Sequence, residues 1–328
     1  MTYKLLGKTG IEVSRLCYGT MSFGGDADEE TSAVLFKRCL DAGINFFDCA
    51  NVYSNGTAEK ILGRLMAGMR DELVITTKVY GNIGSGEKKP ARNDGGLNRR
   101  HMVRQVEESL RRLNTDRIDI YFVHQFDDRL PIEEVVMGLE MLVQQGKILY
   151  PAVSNWASWQ IMKALSISEY RGWARFECIQ PMYNLTKRQA EVEILPMAEA
   201  EQVGVIPYGP MGGGLLSGKY STHSRPSSGR LIDNKMYSKR YLEDIYYEVA
   251  ERFTAFAGER GFNPASLAVA WVMAHPGVTA PIIGARNVQQ LEGSLAALDI
   301  DMTPELYAEI GELAPTPPPA TDRSEQGK

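Results

Sequence analysis

Four side chains of different chemistry, Asp48, Tyr53, Lys78 and His124, stand in the first part of the chain. An acid, a phenol, an ammonium and an imidazole together suit proton donation to a carbonyl oxygen while a hydride arrives at its carbon. A phenol titrates near 10 and is a sluggish acid at neutral pH, but an adjacent ammonium stabilises the phenolate and is expected to lower that value. In this scheme Asp48 keeps Lys78 charged and oriented, Tyr53 gives the proton, and His124 places the substrate oxygen. A positioned acid contributes about 10² to 10⁴ in rate, and the hydride has to come from a cofactor, since no side chain supplies one. Singly, each residue has a plainer explanation. Asp48 caps a turn, Tyr53 is an amphipathic loop aromatic, and His124 is a satisfied core residue; only Lys78, inside the apolar run LVITTKVY, is costly to bury without a partner.

The elements that would bring the four together are legible. Short β-rich runs alternate with helical patterns, the signature of parallel βαβ units. The strand candidates are 16–19, 46–48, 73–79, 118–123, 148–153, 178–182, 205–207 and 280–283. Between them, Met102, Val106, Leu110 and Leu113, or Val135, Leu139 and Leu142, recur at helical spacing. Eight such units predict a (β/α)8 barrel of class α/β, whose active site lies at the C-terminal ends of the strands. Asp48, Lys78 and His124 fall at three consecutive strand ends, with Tyr53 on the loop after the first of these. Neighbouring strands lie about 5 Å apart, so one pocket can hold all four. A doubly wound sheet is the rival, but the segment 19–25 lacks the G-x-G-x-x-G spacing. Runs 3–6 and 11–14 flank Gly7-Lys8-Thr9-Gly10 and predict a β-hairpin that plugs one barrel end. Segments 81–96 and 219–239 read as long loops. Residues 1–314 are expected to form one domain and 315–328 a flexible Pro-rich tail.

Composition narrows the function classes. The chain of 328 residues is 44% hydrophobic and carries a net charge of -5, which disfavours a nucleic-acid partner. Its 4 cysteines include no C-x-x-C pair, so neither a disulfide framework nor a metal site is expected, and a reducing, cytoplasmic setting is. No signal peptide opens the chain and no apolar run is long enough to span a membrane. The run 213–219 satisfies G-x-x-x-x-G-K, but Tyr220 follows where a phosphate-binding loop needs a Ser or Thr hydroxyl.

The stretches AGINFFDCANVYSNGTAEKILG, VITTKV, RIDIYFVHQFD, VSNW, IQPMYN, YGPMGGGLLSGKY and APIIGARNVQQLE occur in that order. Through them the chain resembles the aldo-keto reductases from about Tyr3 to Leu313. The resemblance implies Tyr53 as proton donor, with Asp48, Lys78 and His124 completing the set. It also implies NADPH extended across the barrel mouth. Gly19, Thr20 and Met21 at the first strand end, and Asp48 at the second, would contact it; Ser154, Asn155 and Gln180 would hold the nicotinamide carboxamide, with Tyr208 stacked on that ring. Gly209, Pro210, Met211 and Gly212 would lie beside the pyrophosphate with charge added by Lys219, and Gly284, Arg286, Gln290 and Ser294 would face the adenosine end. Arg286, at a helix start, suits a 2'-phosphate. Two departures stand out: Gly293 and Ser294 where many relatives carry an acid and an asparagine, and Trp156 where Tyr or Phe is common.

The substrate is then a small carbonyl compound, an aldehyde or ketone, with Phe23, Tyr80, Trp156 and the 219–239 loop expected to wall the pocket. Which carbonyl compound it is, and the oligomeric state, stay open. Two rival functions remain. Lys78 alone would permit a Schiff-base aldolase. Relatives of this fold also serve as cofactor-binding regulatory subunits of potassium channels, although an asparagine commonly stands in those where this chain has His124.

Overall fold

The computed structural model describes residues 1–83 and 92–321. The expected hairpin forms as β1 (Tyr3–Leu5) and β2 (Glu12–Ser14), paired antiparallel. Eight parallel strands follow: β3 (Cys17–Gly19), β4 (Phe46–Asp48), β5 (Val74–Val79), β6 (Ile118–Val123), β7 (Ile148–Ser154), β8 (Cys178–Gln180), β9 (Gly204–Val205) and β10 (Ile282–Ile283). Their order is β10-β3-β4-β5-β6-β7-β8-β9. The two ends meet through a parallel bridge between Tyr208 and Ile282, where Ile282 N donates to Pro207 O at 2.8 Å. The sheet therefore curls into the predicted (β/α)8 barrel. Three strands are shorter than expected, and a proline, which has no N–H to give a ladder, stands in the part each one lacks: Pro181, Pro207 and Pro281.

The helices are α1 (Glu29–Asp41), α2 (Thr57–Leu65), α3 (Arg99–Leu113), α4 (Ile132–Gln144), α5 (Ser158–Arg171), α6 (Ile194–Glu201), α7 (Arg230–Asp233), α8 (Lys235–Arg240), α9 (Asp244–Glu259), α10 (Pro264–Ala274), α11 (Val288–Leu295) and α12 (Pro304–Glu312). The apolar faces read at helical spacing on α3 and α4 are buried against the barrel. The 219–239 segment is corrected by the structure: it is not one long loop but contains α7 and the larger part of α8, each burying a single apolar anchor, Leu231 and Tyr237. Of the 81–96 loop, residues 84–91 lie outside the described residues, as do 322–328 of the proposed tail.

Alternate residues of a strand face the same side, and this period builds the barrel interior in tiers. Phe46, Val74, Ile120, Phe122 and Cys178 form a closed apolar cluster, joined by Leu6 and Val13 of the hairpin region. The hairpin thus stops the N-terminal end of the strands, with Lys8 N donating to Glu177 Oε2 at 3.3 Å. Two residues further along the same strands, the inward positions become Asp48, Thr76, Lys78, His124, Ser154 and Gln180. The apolar tier is a floor and the polar tier lies on it. All four cysteines are free and buried. Among the described residues, no helix is long and apolar enough to cross a membrane.

Candidate active site

Lys78 is fully buried, and its ammonium is satisfied at every reachable partner. Nζ donates to Asp48 Oδ2 at 2.5 Å, to Cys49 O at 2.6 Å and to the Tyr53 hydroxyl at 3.4 Å. The pair exists because β4 and β5 are neighbours, with Asp48 opposite Thr76 in register. Asp48 is gripped from other sides as well. Thr76 Oγ1 donates to its Oδ1 at 2.7 Å, and Gln180 Nε2 donates to the same oxygen at 2.9 Å from across the barrel. Thr20 ties down the Asp48 carbonyl through both its N–H (2.8 Å) and its hydroxyl (3.0 Å). Thr76 was missed in the sequence, although it lies on the inward period of β5 two residues before Lys78.

Tyr53 is half-buried on a short 3-10 turn, Tyr53–Gly56, directly after β4. Its ring meets that of His124 edge to face, with centroids 6.2 Å apart. His124 is fixed by its backbone: its N–H donates to Val79 O at 2.9 Å, and its carbonyl accepts from Asn155 Nδ2 at 3.0 Å. The four residues are therefore brought together as their spacing predicts.

The electrostatics differ from expectation in one respect. Burial pushes the Tyr53 phenol up to about 12, and the opposing pull of Lys78 does not overcome it. The phenol is thus a firmly protonated donor rather than an easily ionised one. Burial alone would lower Lys78, yet Asp48 and Tyr53 together hold its ammonium above the ordinary lysine value. His124 is pushed down to about 3 by burial, then by Lys78 and Arg240, so its imidazole is neutral at physiological pH.

The remaining predicted contacts ring this centre. Gly19 faces Asp48 in register, and a Cβ there would lie 2.7 Å from Ile282 Cγ2, so close strand packing requires glycine. Met21 is half-buried beside it. Ser154 is buried with Oγ donating to Gln180 O at 2.9 Å. Asn155 adopts a left-handed φ of 59° and accepts from the Tyr208 hydroxyl at 2.8 Å. Gly209, Pro210, Met211 and Gly212 lead into a 3-10 segment, Gly212–Ser217. At Gly209 φ is +71° and a Cβ would meet nothing within 4 Å, which leaves backbone beside open space. Gly213 has a different reason to be small: a Cβ would come within 2.8 Å of Tyr237 of α8.

Cations gather around the positions that the resemblance assigns to the adenosine end. Lys219 is exposed, and desolvation by the surrounding protein followed by the guanidiniums of Arg286 and Arg230 lowers it from its ordinary value. Mutually repelling cations of this kind fit a multiply charged anion. Arg286 lies just before Asn287, the N-cap of α11, and Gln290 accepts from Arg286 N at 3.0 Å. Arg286 also pairs with Asp26 at 3.0 Å, an acid that sequence reasoning did not single out. Gly284 sits next to Gly19 O, 3.4 Å from where its Cβ would be. Ser294 is buried in α11 with Oγ 3.5 Å from Gln290 O, so its hydroxyl is turned to the helix backbone. Of the expected pocket walls, Phe23 and Trp156 are instead core residues. Phe23 packs 5.8 Å from Tyr18, and Trp156 packs between Phe126 at 5.0 Å and Phe176 at 5.7 Å. Tyr80 is half-buried.

Comparison with known proteins adds a separate line of evidence. A family model described as the aldo/keto reductase family matches residues 15–315. An uncharacterized oxidoreductase of Bacillus subtilis is 38% identical over 326 residues, covering 97% of each chain. A probable voltage-gated potassium channel subunit beta of Oryza sativa is 34% identical, covering 98% of this chain and 99% of its own. A norsolorinic acid reductase of Emericella nidulans is 34% identical, covering 93% of this chain and 79% of its own.

Proposed function

The chain belongs to the aldo/keto reductase family and is an oxidoreductase, and on that premise we propose that it reduces an aldehyde or ketone to an alcohol with NADPH, Tyr53 being the proton donor. The observation that carries this reading is the buried Lys78 ammonium, 2.5 Å from Asp48 and 3.4 Å from the Tyr53 hydroxyl. NADPH, when bound, supplies the hydride. Residues Ser154, Asn155 and Tyr208 would hold its nicotinamide end, the backbone around Gly209 and the Lys219 side chain its diphosphate, and Arg286 its 2'-phosphate. The fit rests on the open backbone at Gly209 and on the repelling cations Lys219, Arg230 and Arg286.

The chain's own part in the reaction follows from its electrostatics. A phenol held up at about 12 keeps its proton until negative charge develops on the substrate oxygen, and the adjacent ammonium then stabilises the phenolate that remains. Neutral His124 offers a ring N–H to the same oxygen without competing as an acid. Asp48 keeps Lys78 charged, and Thr76 and Gln180 keep Asp48 still. The same geometry argues against a Schiff base on Lys78, because a lysine held protonated by a carboxylate has no free pair for attack. The four free, buried cysteines suit a reducing cytoplasm.

The likeness to channel subunits supports a second reading, a cofactor-binding regulator of a membrane channel. His124 argues for catalysis, since it completes the proton-donating group. The test is Tyr53→Phe. NADPH oxidation in the presence of carbonyl compounds should fall about 10²- to 10⁴-fold while NADPH binding, followed by fluorescence, is retained. Turnover equal to the wild type would refute Tyr53 as donor.

A further inference from the structure

Arg240 closes α8 and lies over the candidate site without an acid to balance it. Its guanidinium carbon is 5.7 Å from the centroid of the Tyr208 ring and 5.1 Å from that of Tyr237. Tyr208 is bonded to Asn155 at 2.8 Å and Asn155 to the His124 carbonyl at 3.0 Å, so two hydrogen bonds link the aromatic ring beneath Arg240 to the catalytic histidine. The nearness is felt electrostatically: after burial and Lys78, Arg240 helps to lower His124, and it opposes the burial that raises Tyr208. Among the described residues Arg240 makes no ion pair, whereas Arg38, Arg64, Arg112, Arg188 and Arg286 each have at least one.

The plain explanation is a cation at a helix C-terminus complementing the helix dipole. That role is fulfilled in water, and Lys239 on the same turn is exposed and serves it. Arg240 is instead half-buried over two tyrosines, and the placement is held by packing: Tyr237 is buried against Gly213, where a side chain would collide. Lys235, Met236, Lys239 and Arg240, all of α8, also line an open surface hollow of about 520 Å³ that holds no carboxylate. A planar guanidinium with five N–H donors, partly dehydrated and lacking a counter-ion, matches a carboxylate or phosphate two bonds at a time.

We propose that Arg240 is a specificity-determining residue, which selects carbonyl substrates bearing an oxyanion group by pairing with that group while the carbonyl lies against Tyr53 and His124. This inference rests on the reductase reading of the site and names its substrate class. It involves no chemical step beyond that reaction; the pairing adds binding energy remote from the reacting carbon.

The experiment compares matched substrates in the wild type, Arg240→Gln and Arg240→Lys. 4-Carboxybenzaldehyde is set against methyl 4-formylbenzoate, and glyceraldehyde 3-phosphate against glyceraldehyde, so that the two arms separate a carboxylate from a phosphate. The quantity read is the ratio of kcat/KM for the anionic member to that for its neutral partner. We expect Arg240→Gln to lower this ratio about 10- to 100-fold in at least one arm, chiefly through KM, and Arg240→Lys to recover part of it, because charge returns without the fork. Thermal unfolding and NADPH titration of each variant distinguish a lost contact from a lost fold. A ratio within twofold of the wild type in both arms overturns the proposal. So does an equal loss for charged and neutral partners, or a loss matched by weakened NADPH binding, which would assign Arg240 to folding or to the cofactor phosphates. A wild-type protein that fails to oxidise NADPH with any of the four carbonyl compounds counts against the reductase reading itself, and this inference with it; an active wild type with an unmoved ratio refutes only the role of Arg240.

Discussion

Replacing Asp48 by Asn removes the one carboxylate paired with the Lys78 ammonium among the described residues while preserving size and shape. Lys78 is fully buried, so water cannot replace the lost carboxylate, and breaking one side of a buried ion pair costs about 3 to 5 kcal/mol. The pH dependence tests the cause. In the wild type the folded-state value of Lys78 is raised above its unfolded value, so its contribution to stability is fully present below about 10.4 and is lost as pH rises through the folded value. In Asp48→Asn, burial acts without the carboxylate and pulls the ammonium below its unfolded value. The folded state then binds fewer protons than the unfolded one, and the variant gains stability as pH rises toward about 10.4. The gap between the two proteins should therefore be widest at neutral and lower pH and should narrow at high pH. Urea unfolding followed by tryptophan fluorescence at neutral pH and again near pH 10 measures it. A loss of less than about 1 kcal/mol at neutral pH, or a gap of equal size at both, would refute the argument that burial and Asp48 together govern Lys78.

Two further predictions concern the rim of the site. Gly19→Ala puts a Cβ 2.7 Å from Ile282 Cγ2 and should cost about 1 to 3 kcal/mol; joined to Ile282→Ala, the loss should be smaller than the sum of the single losses by more than about 0.5 kcal/mol, whereas strict additivity would mean that the strands part without strain. Asp26→Asn releases Arg286 from its half-exposed partner, and since such pairs are worth up to about 1 kcal/mol, NADPH should bind about twofold to fivefold tighter with NADH unchanged. Equal effects on the two cofactors in a fluorescence titration would separate Arg286 from the 2'-phosphate.

The barrel and its reactive centre were legible in the residues because both depend on short periods. Strand and helix follow from spacings of two and about 3.6, and eight repeats of the unit leave few ways to bury every face. The same period of two put Asp48, Lys78 and His124 at inward positions of neighbouring strands, so their meeting needed only the strand order. What tertiary structure alone decided lies in groups whose neighbours are distant in sequence. Composition cannot show that Gln180 reaches across the barrel to Asp48, that Asp26 holds Arg286, or that Tyr237 needs Gly213. The expected lowering of Tyr53 considered one neighbouring charge and omitted the walls, and it was burial that set the direction. The loop after β9 misled for a related reason: α7 and α8 are too short to show a helical period and are held by Leu231 and Tyr237, buried against Gly213 of the 3-10 segment. Chemistry near the backbone ladder follows the local repeat, whereas electrostatics and specificity depend on distances that only the closed fold sets.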